Sequence, residues 1–122
     1  MFLGQEHKVR FDYFFKRDGT HQMDVERQAM FYIFAGNGEL MDKLDFFYDF
    51  SERMIRIEGF DEVCLSSSAK SLVELGFNLY NNYPCGTVVD LFGNLDEKNR
   101  RLALNAIKLR FKMEEHDLLT CK

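Results

Sequence analysis

A mainly α-helical fold, one compact domain of about five helices around a buried central helix at 24–35, is what this 122-residue sequence predicts. Three observations carry the prediction. Apolar residues recur at three- and four-residue spacing in several stretches, which places them on one side of a helix. The run Ala29-Met30-Phe31-Tyr32-Ile33-Phe34-Ala35 is apolar on every side, as a helix in the middle of a core must be. Turn-forming groups, Asp18-Gly19-Thr20, Gly36-Asn37-Gly38 and Asn81-Asn82-Tyr83-Pro84, divide the chain at helix-length intervals.

Phe11, Phe14 and Phe15 define a first helix over about 5–17, with Glu6 and Arg10 four residues apart and able to pair. Gly19 ends it, because glycine enters the left-handed region without a steric penalty. Asp24 and Glu26 put negative charge at the start of the central helix, where its dipole favours it. A buried strand is the competing reading of 29–35, and the twelve unbroken residues from Asp24 to Ala35 decide for a helix. A third helix, 38–50, carries Leu40, Leu44, Phe47 and Tyr48 on one side and carboxylates on the other. Met54-Ile55-Arg56-Ile57 alternates and reads as a short extended segment bounded by Gly59.

The hydroxyls of Ser66, Ser67 and Ser68 supply caps for a fourth helix at 67–81, whose Leu72, Leu75, Gly76 and Leu79 share a face. Pro84 disfavours helical backbone at Tyr83 and closes that segment. A helical turn is expected from Thr87 to Phe92. Asn94-x-x-Glu97 resembles a capping box and opens a last helix with Leu95, Leu102, Ala106 and Leu109 in one stripe to about Lys112. Order is expected over 5–112, with the tail 113–122 loosely held. Neither a repeat nor a linker divides the chain, so one domain over 1–122 is the expectation.

Composition bounds the function. Thirteen Phe and five Tyr with no Trp predict an aromatic core. The formal charge of −4 argues against nucleic-acid binding through overall charge. Cys64, Cys85 and Cys121 are odd in number and widely spaced, which fits reduced thiols. The start of the chain lacks the pattern of a secretion signal, and the longest apolar run is far shorter than the ~20 residues of a membrane span. A cytoplasmic protein with no membrane contact is expected.

Glu39, Asp42, Asp45, Asp49 and Glu52 follow one another at three- and four-residue spacing, which would string carboxylates down one face of the third helix. Such a face is ordinarily solvated; it can also bind a protein partner, and paired helical carboxylates can hold Mg²⁺. In the metal reading Glu39, Asp42, Asp45 and Asp49 are the ligands of a Mg²⁺-dependent hydrolase acting on a nucleotide, but Asp61, Glu62 and Glu74 supply no second acidic pair. No other cofactor is predicted. The last helix carries Lys98, Arg100, Arg101, Lys108, Arg110 and Lys112 against Asp96 and Glu97, with Arg101, Lys108 and Lys112 on one face. Three or four cations on an acidic chain release few counterions, so nucleic acid ranks last among the partners. Attraction between the acidic and basic helices of two copies would instead give a dimer.

His7, His21 and His116 lack the spacing of a zinc site. His21 and Asp24 read more simply as a capping loop than as an acid/base pair. No nucleophile elbow, phosphate-binding loop or dinucleotide fingerprint occurs. Asn78, Asn81 and Asn105 lie on or beside apolar helices, where each must hydrogen-bond a neighbouring element or line a polar pocket. Glu26 and Arg27 flank the buried run and are expected to form ion pairs that orient helices.

The strings Asp18-Gly19-Thr20, Asp24-Val25-Glu26-Arg27-Gln28-Ala29-Met30-Phe31-Tyr32-Ile33, Leu75-Gly76-Phe77-Asn78-Leu79-Tyr80-Asn81 and Leu102-Ala103-Leu104-Asn105-Ala106-Ile107 resemble a small family of unknown function from Gram-positive bacteria and their phages. The resemblance runs over nearly the whole chain. No activity is assigned to that family, so it transfers no catalytic residue. It implies a cytoplasmic protein of a kind that mobile elements carry, and it favours a non-enzymatic role. The leading expectation is a small interaction or regulatory protein that binds a protein partner, or itself, through charged helix faces: Glu39, Asp42, Asp49 and Glu52 on one, Arg101, Lys108 and Lys112 on the other.

Overall fold

Residues 1–113 are described by a computed structural model. In order they form α1 (Gln5–Asp18), α2 (Val25–Gly36), α3 (Leu44–Phe47), β1 (Tyr48–Asp49), β2 (Met54–Ile55), α4 (Gly59–Glu62), α5 (Ser67–Asn81), α6 (Val88–Gly93) and α7 (Glu97–Arg110). The tail beyond Met113, with His116 and Cys121, lies outside the described residues.

The central position of α2 follows from its sequence. All seven residues from Ala29 to Ala35 are fully buried, because α1, α5 and α7 pack around α2 on three sides. Its start is capped by Asp24, whose Oδ1 accepts the Arg27 amide at 3.0 Å. The fourth predicted helix matches α5 at both ends: Ser66 accepts the Ala69 amide, and Asn82 takes the left-handed conformation at φ 67° that asparagine tolerates. Gly19, at φ 69°, ends α1 as its sequence requires.

The predicted helix over 38–50 is not continuous. Asn37 Oδ1 accepts the amides of Glu39 and Leu40, and this side-chain turn competes with helix initiation. A single helical turn, α3, follows, and the chain extends at Tyr48 to pair with β2 in the antiparallel register Tyr48↔Ile55, Asp49↔Met54. Burial decides the switch. Phe47 and Tyr48 are adjacent and both inside the core, and their rings go to different partners: Phe47 to Phe34, Phe60 and Phe77, and Tyr48 to Phe31 and Phe50. β2 occupies the first half of the extended segment expected at 54–57. Gly59 starts the short α4, a helical turn that the sequence pattern does not predict. A β-carbon there would lie 2.4 Å from the Phe46 carbonyl oxygen, so α4 can lie against α3 only without a side chain at this position.

The last helix is shorter than expected. Asp96, extended at ψ 178°, is its N-cap and accepts the Asn99 amide at 2.9 Å. Asn94 instead closes α6, with its amide donating to Ser71 Oγ at 3.0 Å. At the other end Lys112, at φ 57°, turns the chain off the helix axis, so it leaves the face shared by Arg101 and Lys108.

The join between α1, α2 and α7 is tight at Gly36. A β-carbon on Gly36 would come within 2.4 Å of Leu102 Cδ1 and 2.9 Å of the His7 ring. Gly36→Ala should therefore destabilise the protein by about 1–3 kcal/mol, despite the better helix propensity of alanine. Urea unfolding measures it, and a neutral result would show that α7 can shift without loss.

Candidate functional site

The densest cluster of ionisable groups lies where the end of α1, the start of α2 and the hairpin meet. Asp18, whose side chain has 0% exposure, accepts from Arg53 Nε at 3.1 Å and Arg53 Nη2 at 2.8 Å. It also accepts from Thr20 Oγ1 at 2.5 Å and Tyr48 OH at 2.6 Å. Tyr48 OH in turn accepts from Arg27 Nε at 3.0 Å. Arg27 continues to Asp24 Oδ2 at 2.9 Å and the Arg53 carbonyl at 2.7 Å. Two carboxylates and two guanidiniums thus form one neutral network.

Burial opposes ionisation of Asp18, but the hydrogen bonds from Arg53, Thr20 and Tyr48 outweigh it and hold its pKa down to about 2. Burial, then the Asp18 carboxylate, pushes the Tyr48 phenol up to about 12. A phenol held protonated between a carboxylate and a guanidinium has no proton to exchange near neutral pH. No buried side-chain nitrogen or oxygen among the described residues lacks a hydrogen bond. The network is a clasp that orients α1, α2 and the hairpin. Arg27, expected to form an ion pair, does so with Asp24, the residue expected at the start of the central helix; Asp18 reads from the sequence as a turn residue, and no local spacing pairs it with Arg53.

His7 is a second buried polar group. Its Nδ1 accepts the Leu3 amide at 3.0 Å, so Nε2 carries the proton and donates to the Tyr32 carbonyl at 2.9 Å. Burial is the largest influence on His7 and lowers its pKa below 6.5; Arg10, Lys98 and the N-terminal amine lower it further, against the Tyr32 carbonyl, which raises it. The unfolded chain therefore binds the proton more readily. The stability this favours is complete above about pH 6.5 and is lost as pH falls through the lower, folded-state value. Denaturant midpoints measured from pH 7 to pH 5 should fall more steeply for the wild type than for His7→Gln; parallel slopes would refute the assignment.

The acidic series does not share a helical face. Glu39 accepts from the Ser66 amide at 2.8 Å and from its hydroxyl at 2.6 Å, bonds that lower its pKa. Asp42 is exposed in the turn before α3. Asp45 takes two bonds from Arg17, at 2.7 and 3.2 Å. Asp49, on β1, accepts the amides of Ser51 and Glu52 in the hairpin turn, and Glu52 is exposed there. Among the described residues no three His, Cys, Asp or Glu side chains are grouped to hold a metal ion.

The amide and ion-pair candidates also go to separate partners. Asn78 donates to the Tyr83 carbonyl at 2.9 Å and Asn105 to the Met1 carbonyl at 3.2 Å, while Asn81 is exposed at the end of α5. Glu26 lies 3.9 Å from Arg110, whose Nε donates to the Leu79 carbonyl at 2.7 Å. His21 Nδ1 accepts the Met23 amide, in a loop that leads into the Asp24 cap.

The remaining feature is the outer face of α7. Arg101, Leu104, Lys108 and Phe111 follow at spacings of three, four and three, and Leu104 is 48% and Phe111 61% exposed. Beside them a groove of about 420 Å³ runs between α6 and α7, lined by Phe92, Glu97, Arg100, Arg101, Leu104, Asn105 and Lys108. Arg101 reaches Glu97 at 3.4 Å with both side chains mostly exposed, a pair of small energetic value. No helix among the described residues is long and apolar enough to cross a membrane.

A family model described as a family of unknown function, DUF6075, matches residues 1–120. No curated protein matches the chain, and no solved structure does.

Proposed function

We propose that this chain, which belongs to the DUF6075 family of unknown function, works by binding a protein partner through the basic and apolar face of α7. The supporting observation is the contrast between that face and the rest of the polar chemistry. Asp18, Arg53, Arg27, Tyr48 and His7 are occupied in holding the fold, whereas Leu104 and Phe111 stand in solvent between cations, beside an open groove. Apolar groups framed by charge are the usual anatomy of a protein-binding patch. Under this reading the chain requires no cofactor and acts inside the cell.

The test compares the wild type with Arg101→Glu/Leu104→Asp as baits in a lysate of cells that carry the gene. Proteins held by the wild type and lost with the variant, at unchanged melting temperature, are the expected result. Identical captured sets would overturn the proposal, as would capture that nuclease treatment abolishes, since the α7 cations would then be serving nucleic acid.

A further inference from the structure

We propose that residues 1–4 form a strap that closes over the junction of α1, α2 and α7 while the His7 ring is neutral, and that lifts off it when His7 takes up a proton.

The strap is fastened by hydrogen bonds at both ends. The Leu3 amide donates to His7 Nδ1 at 3.0 Å. The Met1 carbonyl accepts from the Tyr32 hydroxyl and from Asn105 Nδ2, the latter at 3.2 Å. Between these points the Phe2 ring lies against three others, 5.1 Å from His7, 5.4 Å from Phe11 and 5.7 Å from Tyr32 between centroids. Two cavities border Leu3: one of about 360 Å³ that it shares with Gly36 and Met41, and one of about 460 Å³ that it shares with Glu97 and Arg101. With open space beside it and no regular secondary structure of its own, the strap can lift without displacing a helix. Lifting uncovers Phe11 and Tyr32 and frees the Asn105 amide, which lines the groove between α6 and α7. The switch stands whether or not α7 binds a partner.

The His7 ring can serve the Leu3 bond in one protonation state only. Its Nε2 proton is committed to the Tyr32 carbonyl at 2.9 Å, so the neutral ring offers Nδ1 as acceptor. An imidazolium carries a second proton on Nδ1, aimed at the Leu3 N–H. Two donors then face each other. The bond from Nε2 to Tyr32 survives protonation, which keeps the ring in place and makes the strap the side that gives way.

The surroundings act in the same direction. Burial opposes the imidazolium most; Arg10 on α1, Lys98 on α7 and the Met1 amine on the strap add to it, against the Tyr32 carbonyl, which favours the cation. Glu6, bonded to Arg10 at 3.3 Å, offsets part of that charge, and on α2 burial keeps the Tyr32 phenol neutral. Lifting the strap takes the amine away from the ring and admits water, so the open form binds the proton more readily than the closed one. Below about pH 6.5 the ratio of open to closed strap should rise by up to about tenfold per pH unit.

The chain contains no Trp, so Phe2→Trp places a single fluorophore on the strap. From about pH 7 to about pH 5 its emission should shift to the red and acrylamide quenching should increase, with the far-UV circular dichroism unchanged. Phe2→Trp/His7→Asn, in which the Asn Oδ1 replaces Nδ1 as an acceptor that does not titrate, should show neither change. In the unmodified chain the Leu3 amide resonance should move with the same midpoint as the His7 ring, a readout independent of both variants. An equal red shift in the His7→Asn protein would overturn the inference, as would a Leu3 amide that stays in place through the His7 titration. So would a strap that remains closed down to the pH at which the circular dichroism is lost, since the chain would then open as a whole.

Discussion

Asp18→Ala should cost the protein about 3–5 kcal/mol, the range observed when one member of a buried ion pair is removed and its partner is left uncompensated. Four donor groups converge on this carboxylate: Arg53 Nε, Arg53 Nη2, Thr20 Oγ1 and Tyr48 OH. Without it the Tyr48 phenol is buried with no acceptor for its proton, and Arg53 loses the contact that ties the hairpin to α1. Removing Arg53 as well should add much less than the single Arg53→Ala loss, because the two residues belong to one network. Urea unfolding of the four proteins in the cycle measures this, and strict additivity would refute the clasp.

The same carboxylate makes stability depend on acid. Its pKa is lowered from 3.8 to about 2 in the folded protein, so between those values the unfolded chain binds more protons. The contribution of ionised Asp18 is complete above about pH 3.8 and is lost as pH falls through about 2, in an amount of about 2 kcal/mol. Asp18→Asn should lack this component, and its unfolding midpoint should change less than that of the wild type across this window.

Phe47→Ala is the second large effect, with an expected loss of about 3–5 kcal/mol. Phe47 is fully buried and its ring meets Phe34 of α2 at 5.8 Å, Phe60 of α4 at 5.3 Å and Phe77 of α5 at 6.2 Å between centroids. Truncation removes the common contact of three elements, and the short α3 has few other means of holding α4. Phe47→Leu refills much of the volume and should lose clearly less. A loss below about 1 kcal/mol for the alanine variant would mean that the segment around α3 collapses into the space, a cost-lowering relaxation that rigid cores resist.

The two residues differ in how far the sequence revealed them. The aromatic core was legible from the Phe and Tyr content and from the uninterrupted run that became α2. The location of Phe47 on a single helical turn was not, because Leu40, Leu44, Phe47 and Tyr48 fit one side of a helix by spacing alone. Asp18 and Arg53 are 35 residues apart, and no local pattern pairs them. Asp18 also sits at the C-terminal end of α1, where the helix dipole disfavours a carboxylate, and only the Arg53, Thr20 and Tyr48 contacts make that position favourable.

For the functional reading the balance is similar. The basic bias of the last helix was plain from Arg100, Arg101 and Lys108, and that face is exposed on α7. The acidic stripe was an inference from helical spacing, and it disappears as a stripe once Glu39 is in a turn, Asp45 on α3 and Asp49 on β1.

The sequence by itself determined the parts whose physics is local: α1 to its left-handed glycine, α2 by an all-apolar run behind an aspartate cap, and α5 between a serine cap and Asn82. A few residues supply both the periodicity and the stop signals in each case. The tertiary structure alone decided the division of the 38–50 segment into a turn, α3 and β1, the presence of the short α4, and the partners of Asp18. There, helix spacing competed with the burial of adjacent Phe47 and Tyr48 and with the close approach at Gly59. Those gains arise only when distant elements are already packed against the segment.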